Sequence, residues 1–278
     1  STDHNLIRPL HRSMIKSSIP MNSRRKFLTV AGAIALAAKS SQAQSPDSSA
    51  SPSGIKGYNY RLPQFAKGSR LLFQGDSITD MKWGRNEKDR NHYLGHSYVY
   101  LIASRLGVEM PEALLDFYNR GMSGHKVSDL RKRWQKDALE MKPDLLSILV
   151  GVNDVGRKTE DINIAAWESD YRYLLEASRK ANPNLRLVLL DPFVVPSGRL
   201  AEKDAFKKWR GQVDQMIPVV TSLAKDHQAV HIQTQEVFDA ASQAVSPEHW
   251  IWDGVHPLPQ GHELIARNWI QKVSERWE

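Results

Sequence analysis

The chain has 278 residues, 41% hydrophobic and 25% charged, which excludes an overall disordered protein and indicates one globular domain with extensions. It contains no cysteine, which excludes disulfides, thiolate catalysis, cysteine-based zinc sites and a lipoprotein anchor. Residues 1–43 carry seven Lys and Arg against one Asp, a net of +6 out of +7, so the remainder is nearly neutral and no nucleic-acid partner is indicated.

The N-terminal segment has the order of a twin-arginine export signal. In RRKFLTVAGAIALAAKSSQA, paired arginines precede an apolar stretch, and small residues follow it. The apolar stretch is shorter than the ~20 residues that a membrane span requires. We therefore expect cleavage after Ala43 and export to the periplasm or the medium, without a stable membrane anchor. The alternative is an amphipathic or buried helix.

Residues 44–57, QSPDSSASPSGIKG, are rich in Ser and Pro and predict a flexible linker, so the folded domain is expected at residues 58–278. Short apolar runs alternate there with longer segments of helical spacing. Strands are predicted at Leu71–Gln74, Leu115–Tyr118, Leu145–Val150, Leu185–Leu190 and Val230–Ile232. Helices are predicted at Tyr98–Leu106, Val127–Met141, Ala165–Lys180 and Asp204–Lys225, and in the closing GHELIARNWIQKVSERW.

This alternation of strands and helices predicts an α/β domain with a parallel sheet covered on both faces. In such sheets, ligands bind outside the carboxyl ends of the strands. The segments that follow the first three strands are GDSITD, NRGMSG and GVNDVG. We therefore expect these three loops to lie side by side at one edge of the sheet.

The serine of GDSITD permits two interpretations. Ser77 or Asp80 can simply cap the next helix, since short polar side chains accept bonds from free backbone N–H groups there. Alternatively, Ser77 is a nucleophile, and such a serine requires a base, a group that orients the base, and donors for the developing oxyanion.

Candidates for each of these roles occur elsewhere in the chain. Asp253 and His256 lie three residues apart in WDGVHP, so one short loop can present both side chains to one site. The Ser77 and Gly121 N–H groups and the Asn153 amide are candidate oxyanion donors. Together, these roles predict acyl transfer through a serine.

A zinc site is a rival interpretation of the histidines near the C-terminus. Four residues there have suitable ligand chemistry: His249, Asp253, His256 and His262. They span a proline-containing loop and lack the H-E-x-x-H spacing that places two ligands on one helical face. We therefore expect no metal and no cofactor, and we expect His262 to cap or line the final helix.

The motifs GDS, NRGMSG, GVND and DGVH occur in this order, and the sequence thereby resembles the SGNH hydrolases, also called the GDSL esterase and lipase superfamily. The resemblance covers nearly the whole predicted domain. It implies a three-layer α/β/α flavodoxin-like fold with a five-stranded parallel sheet. It also implies site roles, namely catalytic Ser77, Asp253 and His256, and an oxyanion hole of Ser77, Gly121 and Asn153.

Two longer segments, GMSGHKVSDLRKRWQKDALEMKPDLLSILVGVND and WDGVHPLPQGHELIARNWI, resemble the acetylxylan esterase branch, bacterial enzymes that deacetylate xylan or xylo-oligosaccharides. An acetylated carbohydrate is therefore the expected partner. The sequence leaves open whether the protein forms a homo-oligomer. Lipases, lysophospholipases and thioesterases share this machinery and form the first alternative. A non-catalytic carbohydrate-binding protein is the second.

Tryptophan side chains either stack on sugar rings or fill the core, and the candidates are Trp83, Trp134, Trp250 and Trp252. The core is the simpler explanation for most of them. Trp252 is the best candidate for substrate contact because it adjoins Asp253, and Asp76 of the GDS motif is a second candidate.

Overall fold

The computed structural model describes residues 61–86, 88–155 and 161–278. The predicted leader and linker lie outside these residues. Five parallel strands form one sheet in the order β2-β1-β3-β4-β5. They are β1 Arg70–Gly75, β2 Asp116–Gly121, β3 Leu145–Leu149, β4 Arg186–Leu190 and β5 Val230–Ile232.

The α-helices of the described ranges follow the strands in an alternating order. They are α1 Ser77–Asp80, α2 Tyr98–Glu109, α3 Val127–Trp134, α4 Ile164–Ala181, α5 Lys203–Asp226, α6 Thr234–Ala244 and α7 Pro259–Arg276. A π-helical turn, Gln135–Leu139, continues α3, and short 3-10 turns lie at Pro111–Ala113, Gly198–Leu200 and Pro247–His249.

Helices cover both faces of the sheet. Successive side chains of a strand point to opposite faces. On one face, Phe73 of β1 packs 6.1 Å from Tyr98 of α2 and 5.5 Å from Trp269 of α7, measured between ring centroids. On the other face, Gln74 donates to the Asp137 carbonyl in the π-helical turn, 2.5 Å away. The predicted three-layer α/β/α fold with five parallel strands is therefore confirmed.

All five predicted strands are present. Three of them, β1, β3 and β4, are buried on both faces and are nearly continuous apolar runs that stand out in a sequence. The second strand was predicted too short, since β2 runs on to Gly121 with alternating buried and half-buried residues. The predicted helix Val127–Met141 changes to a π-helical turn after Trp134. Helix α6 was missed, because its short, polar sequence TQEVFDAASQA offers few apolar residues at helical spacing.

No helix among the described residues has the length and hydrophobicity needed to cross a membrane.

The strand order places a topological switch point at β1. Chain connections leave β1 toward β2 on one side, and the later strands extend from the other side through β3. In flavodoxin-like sheets, ligands bind at this point. The register pairs Gly75 with Gly121 on one side and with Leu149 on the other, so these three strands end at the same level. The three polar loops therefore meet around the end of β1.

Candidate active site

Helix α1 begins directly after β1, and its cap is Asp76. The Asp76 carboxyl accepts a hydrogen bond from the Ile78 N–H at 2.9 Å, and Asp76 is only 1% exposed to solvent. Burial, opposed by this bond and reinforced by the nearby charge of Asp154, raises the pKa of Asp76 to about 7. The side chain of Asp76 thus faces the turn that starts the helix, and substrate contact by Asp76 stays a prediction.

Ser77 is the first residue of α1, so the cap position belongs to its neighbour and not to Ser77. Its Oγ lies 2.8 Å from His256 Nε2, although the two residues are 179 positions apart. His256 Nδ1 lies 2.8 Å from Asp253 Oδ2. The structure therefore brings the three predicted catalytic side chains into one hydrogen-bonded chain, which we call the triad.

The carboxylate of Asp253 is held by its own loop. Its Oδ1 accepts bonds from the backbone N–H of Val255 at 3.0 Å and of His256 at 2.7 Å. Burial disfavours its charge, but the bonds from the His256 backbone and ring outweigh burial and hold the pKa of Asp253 below its usual value. Asp253 therefore stays ionised and fixes a proton on His256 Nδ1, which leaves Nε2 to accept the serine proton.

Gly121 does not have the geometry expected of an oxyanion donor. Its N–H donates to the side-chain oxygen of Asn119 at 2.8 Å. A Cβ at Gly121 would lie 2.3 Å from the Asp80 nitrogen, so the residue is packed against the backbone of α1. The structure therefore gives Gly121 a packing role and engages its N–H with Asn119.

Gly124, in the same loop, has the opposite environment. Its φ of +82° lies in the left-handed region that favours glycine, and a Cβ there would meet no heavy atom within 4 Å. The next residue, His125, accepts a bond from the Asn153 amide at 3.2 Å through its backbone carbonyl. Gly124 thus lies on the open side of the loop, beside the predicted donor Asn153, and was missed because NRGMSG contains two glycines.

The loop after β2 is attached to the end of α1 by a buried carboxylate. Asp80 Oδ2 accepts bonds from the Ser123 N–H at 2.9 Å, the Ser123 hydroxyl at 2.7 Å and Arg85 Nη2 at 2.8 Å. Burial opposes the charge, but the bonds from Arg85 and Ser123 hold the pKa of Asp80 below its usual value. Asp80 therefore fixes the position of this loop relative to Ser77, which is a tertiary role and not a cap.

The four candidate tryptophans differ in exposure to solvent. Trp252 is 62% exposed directly before Asp253. The others are buried: Trp83 at 8%, Trp134 at 1% and Trp250 at 3% exposure. Each buried indole donates to the protein, Trp83 to the Gly121 carbonyl, Trp134 to Ser178 and Trp250 to the Ala241 carbonyl. Of these four, only Trp252 presents its ring to solvent.

The histidines of the rival zinc interpretation have separate partners. His256 faces Ser77 and Asp253, whereas His262 accepts a bond from the Tyr98 N–H at 3.2 Å. His262 thus caps the start of α2 and not its own helix. Burial, with the nearby His96 and His256, lowers the pKa of His262 to about 3, so its ring is neutral. In the part of the chain that the structure describes, no group of three or more His, Cys, Asp or Glu side chains is arranged to hold a metal ion.

Comparison with known proteins finds relatives of this chain. The model of the GDSL-like lipase/acylhydrolase family matches residues 73–264. An acetylxylan esterase of Geobacillus stearothermophilus is 30% identical over 222 residues, which are 77% of this chain and 98% of that relative.

Solved structures show the same similarity. A GDSL-like lipase from Parabacteroides merdae superposes with a TM-score of 0.69 at 34% identity, covering 77% of this chain and 99% of that chain. The acetylxylan esterase Axe2 from G. stearothermophilus has a TM-score of 0.66 at 30% identity, covering 75% and 95%. Structures of Axe2 include catalytic mutants in which a serine, an aspartate or a histidine is replaced by alanine.

Proposed function

Because this chain belongs to the GDSL-like lipase/acylhydrolase family, we propose that its carboxylic ester hydrolase activity removes acetyl groups from xylan or xylo-oligosaccharides. The observation that carries the chemistry is the triad at the switch point, with Ser77 Oγ 2.8 Å from His256 Nε2. The acetylxylan esterase relative, aligned over 98% of its own length, supports the substrate.

The proposed reaction proceeds in two steps through an acyl-serine. Ser77 Oγ attacks the acetyl carbonyl carbon while His256 Nε2 takes the hydroxyl proton, and Asp253 stabilises the resulting imidazolium. The C–O bond to the sugar then breaks, and the sugar oxygen leaves with the proton from His256. Water, deprotonated by the same ring, attacks the acetyl-serine and releases acetate, which restores Ser77.

The oxyanion of each step requires fixed N–H donors. Ser77 is the first residue of α1, and the N–H groups of a first helical turn have no partner within the helix. We assign the other donors to the Gly124 N–H and the Asn153 amide, which lie on neighbouring loops joined by the Asn153–His125 bond. Asn153 keeps its predicted role in this proposal, and Gly124 takes the place of Gly121.

Replacing Asn153 by alanine is expected to lower kcat for an aryl acetate roughly 10²- to 10³-fold, the effect of losing one oxyanion donor. KM should change little, because the donor acts where charge develops in the transition state. Steady-state kinetics measure both. The matched control is Asn268→Ala, which removes an amide bonded to the Leu264 carbonyl within α7. A kcat equal to that of this control would remove Asn153 from the site.

The substrate proposal predicts that acetylated xylo-oligosaccharides have a higher kcat/KM than a simple aryl acetate, and that acetyl is preferred over longer acyl chains. The exposed Trp252 offers a stacking face for a sugar beside the triad, and sugar contacts that strengthen in the transition state raise the rate. The measurement compares acetate release from the oligosaccharides with hydrolysis of aryl esters from acetyl to dodecanoyl. A maximum at long acyl chains without release from the sugar would favour the lipase alternative.

We also propose that the protein is exported through the predicted twin-arginine signal. The support is the order of charge, apolar stretch and small residues in the first 43 positions. An extracytoplasmic location would bring the enzyme to its polysaccharide substrate. N-terminal sequencing of the exported form should find Gln44 first, and an intact leader on that form would contradict the cleavage site.

A further inference from the structure

The loop after β4 clamps the loop that carries Asp253 and His256. The hydroxyl of Ser197, which is fully buried, donates to the Ile251 carbonyl at 2.6 Å and accepts from the Gly254 N–H at 3.0 Å. The Val195 N–H donates to the Gly254 carbonyl at 3.0 Å. The backbone on both sides of Asp253 is therefore fixed to this clamp.

Arg199 extends from the clamp to Asp253 itself. Its Nε donates to the Asp253 carbonyl at 3.3 Å, and its Nη2 lies 3.6 Å from Asp253 Oδ2. This is the same oxygen that lies 2.8 Å from His256 Nδ1. The guanidinium carbon also lies 5.4 Å from the ring centroid of Trp209 on α5, which adds a cation–π contact.

Resting on the function proposed above, we propose that Arg199 is a positioning residue for the triad. Its guanidinium orients the Asp253 carboxylate toward His256, and its positive charge opposes a second positive charge on the imidazole that accepts the Ser77 proton. An arginine remains charged at any pH at which the enzyme works, so this influence is permanent. None of the sequence motifs includes Arg199.

The electrostatic part of the proposal has a definite sign. Among the described residues, the groups near His256 include Asp253 on its own loop, the Ser77 hydroxyl on α1, the neutral His262 on α7, and Arg199 beyond Asp253. Removing the positive charge of Arg199 makes a second positive charge on His256 less unfavourable. In a variant without this charge, the acid limb of kcat/KM should therefore move to higher pH.

The test compares Arg199→Gln, which removes the charge, with Arg199→Lys, which keeps the charge but loses the planar fork. Since the Arg199 side chain is 44% exposed and screened by solvent, we expect Arg199→Gln to shift the acid limb upward by about half a pH unit. Its kcat should fall about tenfold through misorientation of Asp253. In Arg199→Lys, the acid limb of the kcat/KM profile should stay at its wild-type pH, but kcat should still be reduced.

Arg172→Gln is the matched control, because Arg172 pairs with Glu168 and Asp226 and its side chain is 34% exposed. It should leave kcat and the pH profile unchanged. If Arg199→Gln only lowers the melting temperature and leaves the pH profile at the wild-type position, Arg199 is a structural brace and the proposal is wrong.

An NMR titration of the His256 ring, assigned with His256→Ala, tests the same charge effect without any substrate. The His256 pKa should be higher in Arg199→Gln than in the wild type and in Arg199→Lys. Because no substrate is used, this comparison stays valid even if the protein does not deacetylate xylan. Equal His256 pKa values in all three proteins would overturn the proposal even if the esterase function stands.

Discussion

Ser77→Ala is expected to lower kcat for an aryl acetate by at least roughly 10⁴-fold, since removing the nucleophile of a serine triad leaves only the catalysis by binding and the oxyanion donors. The serine hydroxyl is 2.8 Å from His256 Nε2, and no other group in the proposed mechanism can form the acyl intermediate. Steady-state turnover and a burst of acyl-enzyme measure the loss.

The fold should survive this substitution, because Ser77 lies at the half-buried start of a four-residue helix and the cap bond belongs to Asp76. An unchanged melting temperature and circular dichroism spectrum would establish this. The matched control is Ser104→Ala on α2, where the hydroxyl bonds the Tyr100 carbonyl. Wild-type turnover in folded Ser77→Ala would show that the nucleophile is another residue.

Asp253→Asn is expected to cost about 10⁴-fold in kcat near neutral pH through the tautomer of His256. The backbone bonds from Val255 and His256 to Oδ1 can remain, so the amide nitrogen would replace Oδ2 opposite His256 Nδ1. Two donors would then face each other. The ring would place its proton on Nε2 and could no longer accept the proton of Ser77.

A kcat–pH profile of Asp253→Asn with an aryl acetate measures this loss. Asp191→Asn is the matched control, because Asp191 Oδ1 makes a comparable bond of 2.7 Å to His231 Nε2 at a place that Ser77 does not share. The control should keep turnover close to wild type. If Asp253→Asn retained the turnover of the control, Asp253 would not orient the base.

Much of the fold could be predicted from the sequence, for local reasons. Strands buried on both faces must be continuous apolar runs, and LLSIL of β3 is buried throughout. The pairing of Asp253 with His256 could also be predicted, because the two residues are three positions apart. One short loop brings Asp253 Oδ2 to 2.8 Å from His256 Nδ1. Ser77 directly follows β1, and parallel sheets bind ligands at the carboxyl ends of their strands, so a role for Ser77 in a ligand site could be predicted.

The direction of individual polar groups could not be predicted in this way. In NRGMSG, both glycines fit the motif, and only the packing of α1 against β2 shows that Gly121 is enclosed while Gly124 is open. Asp76 of the GDS motif lies in a polar loop that the sequence places at the ligand edge, yet its side chain faces inward and caps α1.

The sequence by itself determined the sheet, the loops at its carboxyl edge and the residue types of the triad, because periodicity and short spacings depend on neighbours along the chain. Tertiary structure alone decided that Asp80 holds the Ser123 loop and that Arg199 reaches Asp253, across separations of 43 and 54 residues. Such contacts form only when α1 packs on β2 and the loop after β4 closes over the triad loop, since hydrogen bonds require partners within about 3.5 Å whatever their distance in sequence.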